Sequence, residues 1–228
     1  MEDPTYFLAK DIFQKDFNFD VLSVPMKSDG MDMDSLQAIL GANQDRIILL
    51  YTIPTFHNPT SYTMSSKNRI SCGNIVNSYP NVTVIADEVY QLLYFEDDNK
   101  PPLPLVYNID KCISLGSYSK ILAPSLRMGW MQIKNKKLME LFTNSAKFDS
   151  SGGSTPFVQA IIHGILKSGK LDENIISCRK FLFNNCTILS NLIEEKLAPY
   201  VEFVRPSGGY FLWLKLKAPL TATLLLKR

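Results

Sequence analysis

Val82-Thr83-Val84-Ile85-Ala86-Asp87-Glu88-Val89-Tyr90 is a short apolar run that ends in two carboxylates and a tyrosine. Its first five residues are rich in β-branched side chains and fit a buried strand. Open α/β sheets bind ligands outside the carboxyl ends of their strands, which is where the polar cluster falls. Upstream, Ser65 is placed to cap a helix running to about Ser78, its hydroxyl accepting orphan amides of the first turn. The Tyr79-Pro80 step closes that helix, because proline disfavours a helical conformation in the residue before it. Earlier still, Val21 to Val24 reads as a strand, Ser35 to Leu40 as a short helix and Ile47 to Thr52 as a buried strand. Downstream, Cys112 to Leu115 and Met128 to Ile133 are further strands. Strand and helix alternating at this spacing predict βαβ units, hence an α/β fold with a mostly parallel sheet flanked by helices.

The pattern turns helical after Lys134. Leu138, Leu141 and Phe142 stand at helical spacing, and Pro156 suits the first turn of a helix over Phe157 to Leu166. A longer helix follows with Ile175, Leu182, Cys186, Leu189 and Ile193 on one stripe. Two strands, Val201 to Val204 and Tyr210 to Leu216, are joined by Arg205-Pro206-Ser207-Gly208-Gly209. The expected division is a large domain over 1–168 and the start of a small α+β C-terminal domain over 169–228, with no internal repeat.

Composition narrows the function classes. A length of 228 residues corresponds to about 1.5 domains. With 46% hydrophobic and 20% charged residues the chain is of ordinary globular make-up and needs no disulfide or metal to fold. Lys and Arg total 24 against 22 Asp and Glu, a net charge of +2 that gives no electrostatic case for nucleic acid. Cys72, Cys112, Cys178 and Cys186 form no C-x-x-C pair, so zinc and dithiol chemistry are unsupported and no metal site is expected. No basic leader precedes an apolar run, and Ile47 to Ile53 is far short of the roughly 20 residues a membrane span needs. A soluble, cytoplasmic protein is expected, without membrane or nucleic-acid partners.

Three polar clusters follow three of the strands: Pro54-Thr55-Phe56-His57-Asn58-Pro59-Thr60, Asp87-Glu88-Val89-Tyr90 and Gly116-Ser117-Tyr118-Ser119-Lys120. A common sheet end would bring Asn58, Asp87 and Lys120 to one site. Ser117 and Ser119 precede the lysine in a short loop, with Arg127 seven residues beyond it. Hydroxyls, loop amides and a guanidinium together can hold a phosphate. Arg127 also disfavours the ammonium form of a nearby lysine, and a neutral amine is what attacks a carbonyl to give a Schiff base. The Gly-x-x-x-x-Gly-Lys-Ser/Thr pattern of nucleotide phosphate loops is absent.

The run from Gly116 through Lys120, Arg127 and Gly129 to Trp130 resembles the cofactor-lysine segment of class I/II aminotransferases, the pyridoxal-phosphate enzymes of fold type I. The likeness is greatest to the aminoadipate, kynurenine and aromatic amino-acid aminotransferase branch. His57-Asn58-Pro59-Thr60 is similar to the family's Asn-Pro-Thr-Gly element, with Ser61 where glycine is usual. Asp87-Glu88-Val89-Tyr90 resembles its Asp-x-x-Tyr element, Asp3-Pro4-Thr5-Tyr6 the segment carrying the stacking aromatic, and Pro206 to Trp213 a small-domain strand. The resemblance implies that Lys120 forms the internal aldimine and shuttles the proton at the substrate Cα. It likewise implies that Asp87 pairs with the pyridine nitrogen, that Asn58 and Tyr90 bond the ring's phenolic oxygen, that Ser117, Ser119 and Arg127 hold the phosphate, and that Tyr6 stacks on the ring. The implied reaction is amino transfer between an amino acid and a 2-oxo acid, in a homodimer.

Each residue also has a plainer role open to it. Ser117 and Ser119 suit turn hydroxyls, Tyr90 a core aromatic and His57 a structural histidine, while Gly208 and Gly209 suit a backbone turn. The family's small-residue phosphate turn would precede Met1, and its C-terminal carboxylate-binding arginine would follow the last residue. Arg228 cannot take that role, since its neighbours do not match. The expectation is therefore a chain truncated at both ends, unstable and inactive alone. Two alternatives stand beside the aminotransferase: another fold type I enzyme such as a carbon–sulfur lyase, and a non-catalytic remnant, against which the intact Lys120 and Asp87 count.

Overall fold

The structure, a computed structural model, describes residues 1–150 and 155–226, so Arg228 lies outside the described residues. A short strand β1 (Glu2–Asp3) leads into a helix α1 (Phe7–Asp11) that continues as a π-helical turn over Ile12–Asp16. Strands β2 (Val24–Lys27) and β3 (Gly30–Met31) join β1 in a small sheet of order β1-β2-β3. The strand expected at Val21 to Val24 therefore starts at its last residue. Glu2 pairs with Val24 and Asp3 with Pro25, so the ladder begins only there, and Asp20 and Leu22 stay exposed.

Helix α2 (Met33–Gly41) is longer than the sequence suggested because Asp32 caps it, its carboxylate accepting the Ser35 amide at 3.0 Å. The central sheet comprises β4 (Ile48–Thr52), β5 (Val82–Asp87), β6 (Cys112–Ser117) and β7 (Gly129–Ile133), in order β4-β5-β6-β7. The expected strand–helix alternation holds from β4 through α3 (Ser66–Asn77) to β5, whereas β5, β6 and β7 are joined by loops with short 3-10 turns and no α-helix. The first three strands run parallel and β7 returns antiparallel to β6. Ser65 caps α3 as expected, accepting the Asn68 amide at 3.2 Å.

Strand periodicity decides which face each side chain meets. Val82, Val84 and Ala86 point into a core with Leu36 and Leu40 of α2 and Cys72 and Val76 of α3. Burying either valine there contributes about 1.5–3 kcal/mol. The alternate residue Ile85, with Tyr51 of β4, faces a second core containing Ile53, Phe56, Tyr90, Leu93 and Ile121. The same alternation puts Asp87 on the Tyr51 side and Glu88 on the α3 side.

Helices α4 (Lys136–Thr143), α5 (Ala146–Asp149), α6 (Pro156–Lys167) and α7 (Lys170–Leu197) follow. Leu171 and Ile175 of α7 seal the second core, whereas Leu189, expected on the same stripe, is half exposed. Leu141 of α4 is also exposed. Strand β8 (Val201–Glu202) pairs antiparallel with β9 (Lys215–Leu216), and α8 (Ala222–Leu226) ends the described chain. Only the last two residues of the expected Tyr210 to Leu216 strand join that ladder; Tyr210 and Phe211 pack against Tyr90 instead. Among the described residues, no helix is long and apolar enough to cross a membrane, and no group of three or more His, Cys, Asp and Glu could hold a metal ion.

Candidate active site

Asp87 ends β5 on the second-core face, and the parallel neighbour β4 delivers Tyr51 beside it. The Tyr51 hydroxyl donates to Asp87 Oδ2 at 2.8 Å, while Asp87 Oδ1 is buried without a hydrogen-bond partner. Burial raises the Asp87 pKa; the Tyr51 hydroxyl, the nearby Val89 amide and the positive charge of Lys120 act in the opposite direction. Burial, with the Asp87 carboxylate adding to it, pushes the Tyr51 hydroxyl far above its ordinary range, so Tyr51 remains a donor at any working pH.

Tyr90 lies one turn beyond Asp87, and burial pushes its phenol up to about 12, an effect offset in part by the nearby Asn58 side chain. Tyr6 packs on the same core and lies close to Tyr90. Lys120 is exposed on the turn after β6, near Asp87. In that turn the Ser119 amide donates to Ser117 Oγ at 3.1 Å, so Ser117 already acts as a turn hydroxyl. Arg127 has a left-handed backbone (φ 49°) and donates from Nη1 to the Pro124 carbonyl at 3.3 Å, within its own turn. The Tyr118 amide donates to the Met128 carbonyl at 3.0 Å, which sets the Arg127 backbone beside the serine turn. Tyr6, Asn58, Asp87, Tyr90 and Lys120 are thus brought together, with Ser117, Ser119 and Arg127 on the adjoining turn, where the Arg127 side chain is engaged locally.

His57 is a buried strut. Its Nδ1 accepts the Thr60 amide at 3.3 Å, and its Nε2 faces Glu2 Oε2 at 3.2 Å, near enough for an ion pair but poorly aligned for a hydrogen bond. Glu2 in turn accepts Thr52 Oγ1 at 2.6 Å and the Ile53 amide at 2.8 Å, which ties the Tyr6 segment to the end of β4. Ser61 stands at φ 64°, which explains why glycine suits this position, and its hydroxyl bonds the Thr60 carbonyl. Relief of the left-handed strain exceeds that local bond, so Ser61→Gly is expected to stabilise the chain by about 1 kcal/mol. Thermal unfolding should show a midpoint about 2–4 °C higher.

Several residues of the site carried no sequence signal for it. Arg69 of α3 is almost wholly buried and donates to Glu88 Oε1 (3.1 Å), Thr55 Oγ1 (2.7 Å) and the carbonyls of Pro54 (2.9 Å), Met64 (3.1 Å) and Leu103 (3.1 Å). It thereby joins the loop carrying Asn58 to the residue after Asp87. Burial lowers the Arg69 pKa and raises that of Glu88, each countered by the other's charge. From the far end of the chain, the Tyr210 hydroxyl donates to the Lys120 carbonyl at 2.7 Å, and Tyr210 and Phe211 pack edge-on to Tyr90 at 6.1 and 5.7 Å. Close passage explains Gly208 and Gly209: a Cβ on Gly208 would stand 2.3 Å from Phe56 Cζ, and Gly209 has φ 76°. Asn174 of α7 also donates to the Ile121 carbonyl at 2.7 Å, bracing the lysine turn from the opposite side.

A buried carboxylate oxygen awaiting a donor, a lysine within its field and a neighbouring amide and phenol suit an aromatic ring that carries a protonated nitrogen and a phenolic oxygen. Residues 1–227 match the family described as Aminotransferase class I and II. Among curated proteins, the chain is 27% identical over 231 residues to Aromatic-amino-acid aminotransferase 1 of Thermococcus litoralis, covering 100% of this chain and 54% of that protein. It is 25% identical over 221 residues to the HTH-type transcriptional regulator NorG of Staphylococcus aureus, covering 94% and 47%. Among solved structures, Pyrococcus horikoshii kynurenine aminotransferase in complex with PMP superposes with a TM-score of 0.84 at 27% identity, over 99% of this chain and 56% of that one. The chain spans about half the length of the curated relatives it matches. From the match over nearly all of its length, together with the geometry around Asp87 and Lys120, the chain belongs to the class I and II aminotransferases, whose cofactor is pyridoxal phosphate.

Proposed function

We propose that this chain is the cofactor-holding part of an aminotransferase that moves an amino group between an amino acid and a 2-oxo acid. The observation that carries the reading is the unpartnered, buried Oδ1 of Asp87 beside Lys120. When bound, pyridoxal phosphate supplies the electron sink that makes the Cα–H bond of an amino acid acidic. Asp87 would hold the proton of the ring nitrogen, and Asn58 with Tyr90 the phenolic oxygen. Ser117, Ser119 and Arg127 would take the phosphate, Arg127 after releasing the Pro124 carbonyl. Tyr6 would cover the ring face. Lys120 Nζ would carry the cofactor covalently, then take the proton from the substrate Cα and return it.

The large domain would span 1–168 and the start of the small one 169–228, in a cytoplasmic homodimer. The test is an absorbance titration of the purified chain with pyridoxal phosphate, followed by borohydride reduction and peptide mapping. A visible cofactor band that reduction fixes on the peptide carrying Lys120 is expected. A folded chain that shows no band, or that is labelled elsewhere, overturns the reading. Ammonia and pyruvate released in place of a new amino acid would move the assignment to a carbon–sulfur lyase.

A further inference from the structure

We infer that Tyr51 is a positioning residue for the cofactor: it clamps Oδ2 of Asp87 so that Oδ1 is left to face the ring nitrogen. The inference rests on the cofactor reading above and extends it to a residue outside every motif that suggested that reading. A carboxylate has two oxygens and free rotation about its last bond. Unclamped, Asp87 could turn either oxygen, or the plane between them, toward a ligand. The 2.8 Å bond from Tyr51 fixes one oxygen, and β4 and β5 hold both residues in register, Tyr51 beside Ile85 and Thr52 beside Ala86. Tyr51 is 6% exposed and sits in the second core with Ile53, Phe56 and Tyr90, so its ring has little room to swing away. Phe13 meets that ring edge-on at 5.6 Å.

Donation to Oδ2 also favours the ionised form of a carboxylate that burial disfavours. An ionised Asp87 holds the ring nitrogen protonated, so the Tyr51 hydroxyl acts on the cofactor through Asp87 without touching it. A purely structural tyrosine would influence every ligand of the site alike. A positioning tyrosine acts only on ligands that possess the ring nitrogen.

The test titrates pyridoxal phosphate and its 1-deaza analogue, which has carbon in place of the ring nitrogen, into the wild-type chain and Tyr51→Phe. Affinity is read from fluorescence, and folding is checked by circular dichroism and thermal melting. Tyr51→Phe is expected to weaken pyridoxal phosphate about tenfold while leaving the deaza compound within about twofold. Incorporating 4-aminophenylalanine at position 51, which restores a donor, should restore the selectivity. Equal losses for both compounds, no loss for either, or a Tyr51→Phe chain that does not fold would overturn the inference. A wild-type chain that binds the deaza analogue and pyridoxal phosphate equally would also overturn it, without touching Lys120 attachment. A wild-type chain that binds neither would remove the cofactor reading and this inference with it.

Discussion

Replacing Arg69 with methionine is expected to destabilise the chain by about 3–5 kcal/mol, the cost of leaving a buried ion-pair partner alone. Methionine keeps the bulk of the side chain, so the loss is polar rather than a cavity. Glu88 would keep a buried carboxylate with its cation gone, the carbonyls of Met64 and Leu103 would lose the Arg69 donor, and that of Pro54 would keep only the Met64 amide. Natural domains are stable by only about 5–15 kcal/mol, so the variant would stand close to unfolding at neutral pH. The deficit should depend on pH with a definite sign. Burial already raises the Glu88 pKa in the folded chain, and removing Arg69 raises it further. A carboxyl whose folded pKa lies above its unfolded value favours folding at pH below the unfolded value, and that contribution is lost as pH rises through the folded one. Urea unfolding should therefore show a wild-type-minus-variant gap that is wider near pH 8 than near pH 5. A gap that is constant across that range, or below about 1 kcal/mol, would mean that the buried pair does not hold the loop junction.

The second large effect is at Lys120. Lys120→Ala should abolish covalent retention of pyridoxal phosphate and slow exchange of an amino acid's Cα proton with deuterated solvent by about 10²–10⁴-fold, the range associated with removal of a positioned general base. The fold should be unaffected, because the lysine side chain is exposed and only its main-chain carbonyl is used, as acceptor for Tyr210. Added small primary amines should restore part of the exchange rate, since they can supply the missing base in trans. Exchange at the wild-type rate in Lys120→Ala would place the base elsewhere.

Much of this arrangement is legible along the chain. The βαβ pattern gives the parallel pairing of β4 with β5 through α3, though β6 joins in parallel without a helix between, and polar clusters at strand ends mark where Asn58, Asp87 and Lys120 converge. Ser65 and the Tyr79-Pro80 step delimit α3 almost to the residue. Local signals sufficed there because capping and turn chemistry act within a few positions. Tyr51 was hidden because in sequence it is one apolar-looking member of a buried strand; its hydroxyl meets a carboxylate 36 residues away only through sheet register. Arg69 was hidden in the same way, on the buried face of α3 among Cys72, Gly73 and Val76, where an arginine gives no local sign of burial. The Tyr210 to Leu216 strand was misjudged because alternation cannot distinguish a strand in a ladder from an extended segment laid over an active site. Phe56 and the two glycines made that difference, and it is a matter of tertiary contact.

The Tyr210–Lys120 bond spans 90 positions of sequence. At a synthesis rate of roughly 5–20 residues per second, the lysine emerges about 5–20 s before the tyrosine that brackets it. For that interval a primary amine suited to carbonyl chemistry stands without one wall of its site. The interval also separates two events that an equilibrium titration merges, capture of an aldehyde by the amine and selection of the right one by the finished enclosure. In a refolding time course, attachment of pyridoxal phosphate should accordingly precede the fluorescence change from Tyr210 packing on Tyr90, because contacts of such long separation form late.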